Sequence, residues 1–311
     1  MSEPTVTGIH HITAIAGDPQ RNLDFYTEVL GLRLVKLTVN FDDPGTYHFY
    51  FGDAEGRPGS ILTFFPWAGV PRGTVGNGQV TATSFAVPWG SLDYWRERLR
   101  NAGIPVEDTG ERFGETVFRF ADPDGLPLEL ISTAGAGRAP SGAITGFHSA
   151  TLSEEGYENT AALLEGVMGL RPVGQEGSRY RYEMGTGGPS KIVDVVCSPE
   201  ARRGRLGAGT VHHIAWRTPD DAQQLAWRKR LVEDGYNVSP VMDRTYFHSI
   251  YYREPGGILF EIATDPPGFT LDEPLDHLGE RLMLPPQFEA HRALIEKQVP
   301  KLTLPHAKTR R

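Results

Sequence analysis

The chain of 311 residues has a single cysteine, Cys197, which excludes a disulfide framework and any zinc site built on cysteine. It has no excess of positive charge. Its 31 Lys and Arg stand against 39 Asp and Glu, a formal net charge of −8, so it offers no electrostatic footprint for nucleic acid or an anionic membrane. The basic ending Lys308, Arg310, Arg311 is too short to change this and reads as a solvated tail. No apolar run approaches the roughly 18 residues of a membrane span. The first residues have neither a basic n-region nor an apolar h-region, so no signal peptide is read there. The expectation is a soluble, cytoplasmic protein. Apolar content of 39% is ordinary and the 36 glycines follow no three-residue period, which excludes disorder and collagen-like structure. The length suggests about two domains.

What is present is a repeat. Four segments begin with a short alternating run: Ile-His-His-Ile-Thr-Ala-Ile at 9–15, Ala-Thr-Ser-Phe-Ala-Val at 82–87, Gly-Phe-His-Ser-Ala-Thr-Leu at 146–152 and Val-His-His-Ile-Ala-Trp at 211–216. Period-two patterning of β-branched and aromatic residues predicts strands. Helical spacing follows in each: Leu23, Tyr26, Leu30; Leu92, Trp95, Leu99; Ala161, Leu164, Val167; Leu225, Trp227, Leu231. Gly31, Gly103, Gly169 and Gly235 then end the helices, as left-handed caps do. With further strands after each helix, one unit reads βαβββ, and the units span about 8–67, 79–134, 144–199 and 209–265.

The fold class expected is α+β: four βαβββ modules paired into two open β-barrel domains, with a C-terminal helical tail. An N-terminal double module at 1–134 and a C-terminal one at 144–265 are divided by a small, Gly-rich linker at 135–143. Residues 266–311 form the tail, with one helix predicted over 286–299. This layout resembles the vicinal-oxygen-chelate superfamily of glyoxalase I, fosfomycin-resistance proteins and extradiol dioxygenases. That resemblance implies curved, incompletely closed barrels with a metal inside.

The first strands supply His11, Ser84, His148 and His213. The last strands, aligned on the proline of their preceding turns, supply Phe64, Glu129 and Glu261. A carboxylate in so apolar a strand costs several kcal/mol unless it has a partner. Units one and four together offer His11, His213 and Glu261, the two-histidine, one-carboxylate set of non-haem Fe(II) oxygenases. Units two and three offer only Glu129 and His148, and this incomplete set reads as a relic satisfied by hydrogen bonds. Neighbouring residues of a strand face opposite ways, so one His of each pair must act from behind the metal or from a twisted strand end.

In detail the sequence looks like the bacterial para-hydroquinone ring-cleaving dioxygenases. The stretches that carry this are Ile-His-His-Ile-Thr at 9–13, Val-His-His-Ile at 211–214, Arg-Thr-Tyr-Phe-His-Ser-Ile-Tyr at 244–251, Pro-Gly-Gly-Ile-Leu-Phe-Glu at 255–261, Gly-Phe-Thr at 268–270 and Pro-Gln-Phe at 286–288. The resemblance implies Fe(II) held by His11, His213 and Glu261. It places Thr13, His212, Arg244 and Tyr251 around a small aromatic substrate, with His10 beside them, and makes dioxygen the co-substrate. His212 would exchange protons with the substrate, and Arg244 and Tyr251 would hydrogen-bond its oxygens. His48, His248, His277, His291 and His306 are expected in structural or solvent roles. Paired barrels often associate, so a homo-oligomer is compatible with the sequence. The alternatives are a glyoxalase-like lyase or isomerase on another divalent metal, against which Phe64 stands where a fourth ligand is needed, and an aromatic- or quinone-binding protein.

Overall fold

The computed structural model describes residues 4–136 and 142–305. Part of the expected linker, His306 and the basic C-terminal residues lie outside these. Unit one comprises β1 (Ile9–Ala16), β2 (Arg33–Asn40), β3 (Asp43–Gly52) and β4 (Ile61–Pro66). Unit two comprises β5 (Gln79–Pro88), β6 (Glu107–Arg112), β7 (Glu115–Ala121) and β8 (Pro127–Thr133). Unit three has β9 (Gly146–Glu154), β10 (Arg171–Glu176), β11 (Arg179–Glu183) and β12 (Ile192–Cys197). Unit four has β13 (Thr210–Thr218), β14 (Met242–Asp243), β15 (Phe247–Arg253) and β16 (Leu259–Pro267).

One helix follows the first strand of each unit: α1 (Pro19–Asp24), α2 (Leu92–Asn101), α3 (Glu158–Ala162) and α4 (Asp221–Glu233). α1 and α3 each run on into a π-helical turn, at Phe25–Val29 and Leu163–Val167. Asp18 caps α1 by accepting from the Arg21 N–H, with Pro19 at the first helical position. The four glycines after the helices have φ of 72°, 72°, 73° and 88°, the left-handed conformation expected of them. One helix anchor differs: Leu225 is exposed, and buried Gln224 takes its place by donating to the carbonyls of His248 and Ile262.

The hydrogen-bonded sheets correct the expected pairing of neighbouring units. One eight-stranded sheet runs β14-β15-β16-β13-β1-β4-β3-β2, and the other runs β10-β11-β12-β9-β5-β8-β7-β6. The outer units, one and four, therefore share a sheet, and the inner units, two and three, share the other. β8 and β9, which flank the expected linker at 135–143, lie in the same sheet, each paired with β5. The chain changes sheets after unit one and again before unit four, and these two connections run together, with bridges Arg72↔Ala208, Thr74↔Arg205 and Asn77↔Arg203. Hydrophobic periodicity marks strands but does not say which unit pairs with which.

The tail wraps unit one. Lys36 of β2 is fully buried and bonds Asp272 at 2.6 Å and Glu273 at 2.5 Å, and the Tyr47 hydroxyl donates to the Pro300 carbonyl. The helix expected over 286–299 is two shorter ones, α5 (Pro286–Glu289) and α6 (Arg292–Gln298). His291 leaves helical geometry between them (φ −108°, ψ 8°), which interrupts the hydrogen-bond ladder.

The two sheets also meet at a carboxylate pair. Buried Glu154 ends β9, and buried Glu254 sits on the turn before β16, accepting from the Thr160 hydroxyl and the Gly256 and Ile258 N–H groups. Burial and then the Glu254 charge push the Glu154 carboxyl up from 4.5 to about 8. A raised carboxyl binds its proton more tightly folded than unfolded, so folding stability falls as pH climbs between those two values. The melting temperature should therefore drop from pH 5 to pH 8.5, and Glu154→Gln should flatten that slope in thermal melts. An unchanged slope would show that the pair does not share a proton.

Candidate metal centre

β1 and β13 lie antiparallel at the centre of their sheet, paired about Ile12↔Ile214. The register skips His10 on one strand and His212 on the other. Each pair thus begins on a β-bulge, where an extra residue bends the strand and re-aims its side chain. The second His of each pair points inward from both sides of the strand junction, and the Nε2 atoms of His11 and His213 lie 3.3 Å apart.

Glu261 on β16 completes the cluster. Its Oε2 is 3.0 Å from His213 Nε2 and 3.4 Å from His11 Nε2, yet it is buried without a hydrogen bond. The Ser249 hydroxyl donates to its other oxygen, Oε1. Burial would raise this carboxyl, but the two imidazoles hold it well below the ordinary range. Burial pushes the His213 imidazole down, towards the neutral form that ligates metals. A charged, fully buried carboxylate oxygen that faces two imidazole nitrogens without a hydrogen bond is a strong desolvation cost unless a cation lies among them. The three donors fit a divalent metal. Among the described residues they are the one such cluster of three, with donor atoms all within 4.8 Å of one another.

The remaining ring nitrogens show how the ligands are held. His11 Nδ1 is 2.9 Å from His10 Nδ1, and His213 Nδ1 is 2.8 Å from His212 Nδ1. With Nε2 of each ligand kept for metal, its proton resides on Nδ1 and is donated to the preceding His. Such outer hydrogen bonds fix the tautomer and the ring orientation. The two partners then diverge. His10 is buried behind His11 against Phe247 and is absent from the cavity wall, so it positions His11. His212 reaches the cavity and carries its proton on the nitrogen that faces away from His213. Burial, then the His213 charge, pushes it down to about 3, so it is neutral at physiological pH.

The strand register also corrects which residue stands opposite Glu261. In unit four, Glu261 pairs with Ala215 and Tyr251, and in unit one the same positions pair Thr63 with Thr13 and Tyr50. Thr63, not Phe64, is the counterpart. Phe64 faces the helix side, 4.6 Å from the Tyr26 ring. Aligning on the turn proline misses this because the turn in unit one has a different length relative to the strand register. The conclusion that no fourth carboxylate is present holds with Thr63 in the place.

The second sheet carries its bulges at Thr81 and His148, so the counterparts of His11 and His213 are Ala82 and Ser149, not Ser84 and His148. The counterparts of Glu261 are Glu129, which pairs with Ser84, and Asp194, which pairs with Thr151. Arginines neutralise both: Arg112 grips Glu129 at 2.7 and 2.9 Å, and Arg181 grips Asp194 at 2.8 and 3.0 Å. Guanidinium takes the part of a cation there, as the relic reading expects.

His11 and His213, with Glu261 buried behind them, line a cavity of about 380 Å³. Its polar wall includes His212, Arg244 and Tyr251, all expected near substrate, and its apolar wall includes Phe65, Trp67, Phe247 and Leu259. Arg244 Nε donates to the Tyr251 hydroxyl at 3.2 Å, and Arg244 Nη1 meets Asp42 at 3.2 Å. Tyr251 therefore keeps its own O–H to donate, and burial pushes its ionisation up. Thr13 is fully buried and off the cavity wall, bonded to Thr63 at 2.8 Å. His48, expected to be structural, lines the cavity, as do Tyr50 and Asp42. Alternation along β3 places His48 and Tyr50 on one face, which was the available signal. His248 bonds Asp221, and His277 is exposed beside Glu280, as expected.

Residues 8–130 and 146–262 match the model of the Glyoxalase/Bleomycin resistance protein/Dioxygenase superfamily. The chain belongs to that superfamily. Among its relatives is the Bacillus subtilis protein MhqO, named as a ring-cleaving dioxygenase, 54% identical over 298 residues that cover 93% of this chain and 95% of MhqO. A chlorohydroquinone/hydroquinone 1,2-dioxygenase of Sphingobium indicum is 37% identical over 300 residues, covering 91% and 93%. The crystal structure of a Bacillus subtilis protein described as a dioxygenase matches with a TM-score of 0.92 at 52% identity, covering 97% of this chain and 99% of that one.

Within this superfamily member, Ser249 is the residue that turns Glu261 towards the imidazoles. Ser249→Ala should weaken divalent-metal binding by about 10- to 100-fold while the protein stays folded. Titration with Co(II) would check this, and unchanged affinity would show that Glu261 needs no such support.

Proposed function

We propose that the chain is an Fe(II)-dependent, extradiol-type dioxygenase that opens the ring of hydroquinones or related phenols, with dioxygen as co-substrate. The observation that carries this reading is the orphaned Glu261 Oε2 beside the Nε2 atoms of His11 and His213, two imidazoles that line an aromatic-walled cavity. Three protein donors leave coordination positions free for two co-substrates, as an oxygenase requires. His11, His213 and Glu261 would hold Fe(II), which would supply the electron-transfer chemistry between an ionised phenol and dioxygen. The substrate class rests on the hydroquinone dioxygenase relative and on the flat apolar walls at Phe65, Trp67 and Phe247.

The protein's own groups would act around that centre. His212, neutral and with its outward N–H free, donates a hydrogen bond to a substrate oxygen and stabilises negative charge that develops there. Tyr251, whose oxygen accepts from Arg244, stands on the cavity wall with its own O–H as a donor. Arg244 supplies a fixed positive charge that stabilises developing negative charge on the far side of the ring. Asp42 holds this guanidinium in place without neutralising the whole of its donor fork.

Protein purified anaerobically and loaded with Fe(II) should consume one dioxygen per hydroquinone, read with an oxygen electrode. Iron-loaded protein that takes up no dioxygen across a panel of hydroquinones and catechols would overturn the proposal. Oxygen-independent turnover with zinc or nickel would instead support an isomerase.

A further inference from the structure

The pseudo-twofold axis through the β1–β13 pair relates His11 to His213, Thr63 to Glu261, Tyr50 to Tyr251 and His48 to Ser249. On the unit-four side a small hydroxyl, Ser249, supports a long carboxylate, Glu261. On the unit-one side the sizes are exchanged: a ring on β3 and a short hydroxyl on β4. His48 Nε2 lies 2.9 Å from the Thr63 hydroxyl, and His48 Nδ1 lies 2.9 Å from the Tyr50 hydroxyl.

We infer that His48 and Thr63 are positioning residues that close the fourth corner of the metal site and so hold the donor set at three. This inference rests on the metal-dependent reading above and assigns its specificity to two residues outside the ligand set. Thr63 is too short to reach a metal that Glu261 reaches from the equivalent position. The space a second carboxylate would take is filled by the His48 ring, packed at a tilt against Tyr50 (centroids 4.1 Å apart) and Phe65 (4.4 Å). The imidazole cannot substitute as a ligand, because both of its nitrogens are engaged. Tyr50, whose ionisation burial pushes far up, donates to Nδ1, so the His48 proton sits on Nε2 and is donated to Thr63. Thr63 in turn donates to Thr13 at 2.8 Å. The chain Tyr50–His48–Thr63–Thr13 is thus satisfied internally, and the ring presents an unreactive aromatic face to the cavity.

The direct test is to copy the unit-four solution into unit one with the double substitution His48→Ser and Thr63→Glu. Wild type and variant are titrated with Co(II), whose visible absorption reports coordination. The double variant should bind at least about tenfold more tightly, with a spectrum changed from that of wild type, because a second carboxylate joins the site. The Fe(II)-loaded variant should also lose dioxygen uptake. A variant that melts cooperatively but binds Co(II) no more tightly, with an unchanged spectrum, would overturn the inference. Wild type that binds no Co(II) would instead overturn the metal reading itself.

A folded double variant is not the sole route. His48→Ala should raise the KM for hydroquinone at least about tenfold while Co(II) affinity stays within about twofold, and His48→Gln, whose amide can still bond Thr63, should recover most of the loss. Equal KM values in wild type and His48→Ala, or no recovery in His48→Gln, would count against the positioning role.

Discussion

The antiparallel meeting of β1 and β13 is the constraint on which the site depends. It joins residues 202 positions apart in sequence, His11 and His213, with their Nε2 atoms 3.3 Å from one another. β16, parallel to β13 on its other side, then delivers Glu261 to the same point. The bulges at His10 and His212 matter as much as the pairing. Without them, strict alternation would send consecutive imidazoles to opposite faces, and the Nδ1 to Nδ1 contacts that orient each ligand would not form. An uncompensated carboxylate in that position costs several kcal/mol, so the arrangement makes physical sense as a cation site.

The second sheet shows the same scaffold with that requirement removed. It keeps the bulges and the inward carboxylates Glu129 and Asp194, but small residues, Ala82 and Ser149, stand where the imidazoles would be. Bidentate arginines supply the missing positive charge within the protein itself. One repeat thus yields two outcomes. Where imidazoles face the carboxylate, a site remains open to an external cation, and where arginines face it, the interior is closed and structural.

Much of this was legible in the sequence because it is periodic. The alternating first strands, the helical spacing and the glycine caps give four units, and the His-His pairs with Glu261 give the donor set. Three things were not legible. The pairing of unit one with unit four depends on how the chain crosses between sheets, which no local pattern records. The equivalence of Thr63 with Glu261 is a matter of strand register, and a one-residue slip reverses which side chain faces inward, which is why the proline alignment selected Phe64. His48 stood alone in a strand without a motif, and only its contacts with Thr63 and Tyr50 distinguish it from a core residue. The resemblance to hydroquinone dioxygenases reached His212, Arg244 and Tyr251 at the cavity, whereas His10 and Thr13 lie one layer behind it.

A single metal ion is expected at the seam between the first and last units, held by His11, His213 and Glu261. Anomalous diffraction at the iron edge, from crystals of anaerobically reconstituted protein, tests it most directly. One strong peak is expected within about 2.0–2.3 Å of His11 Nε2, His213 Nε2 and Glu261 Oε2. A peak beside Glu129 or Asp194 in the second sheet, or no peak at the triad in protein that retains stoichiometric iron, would contradict it.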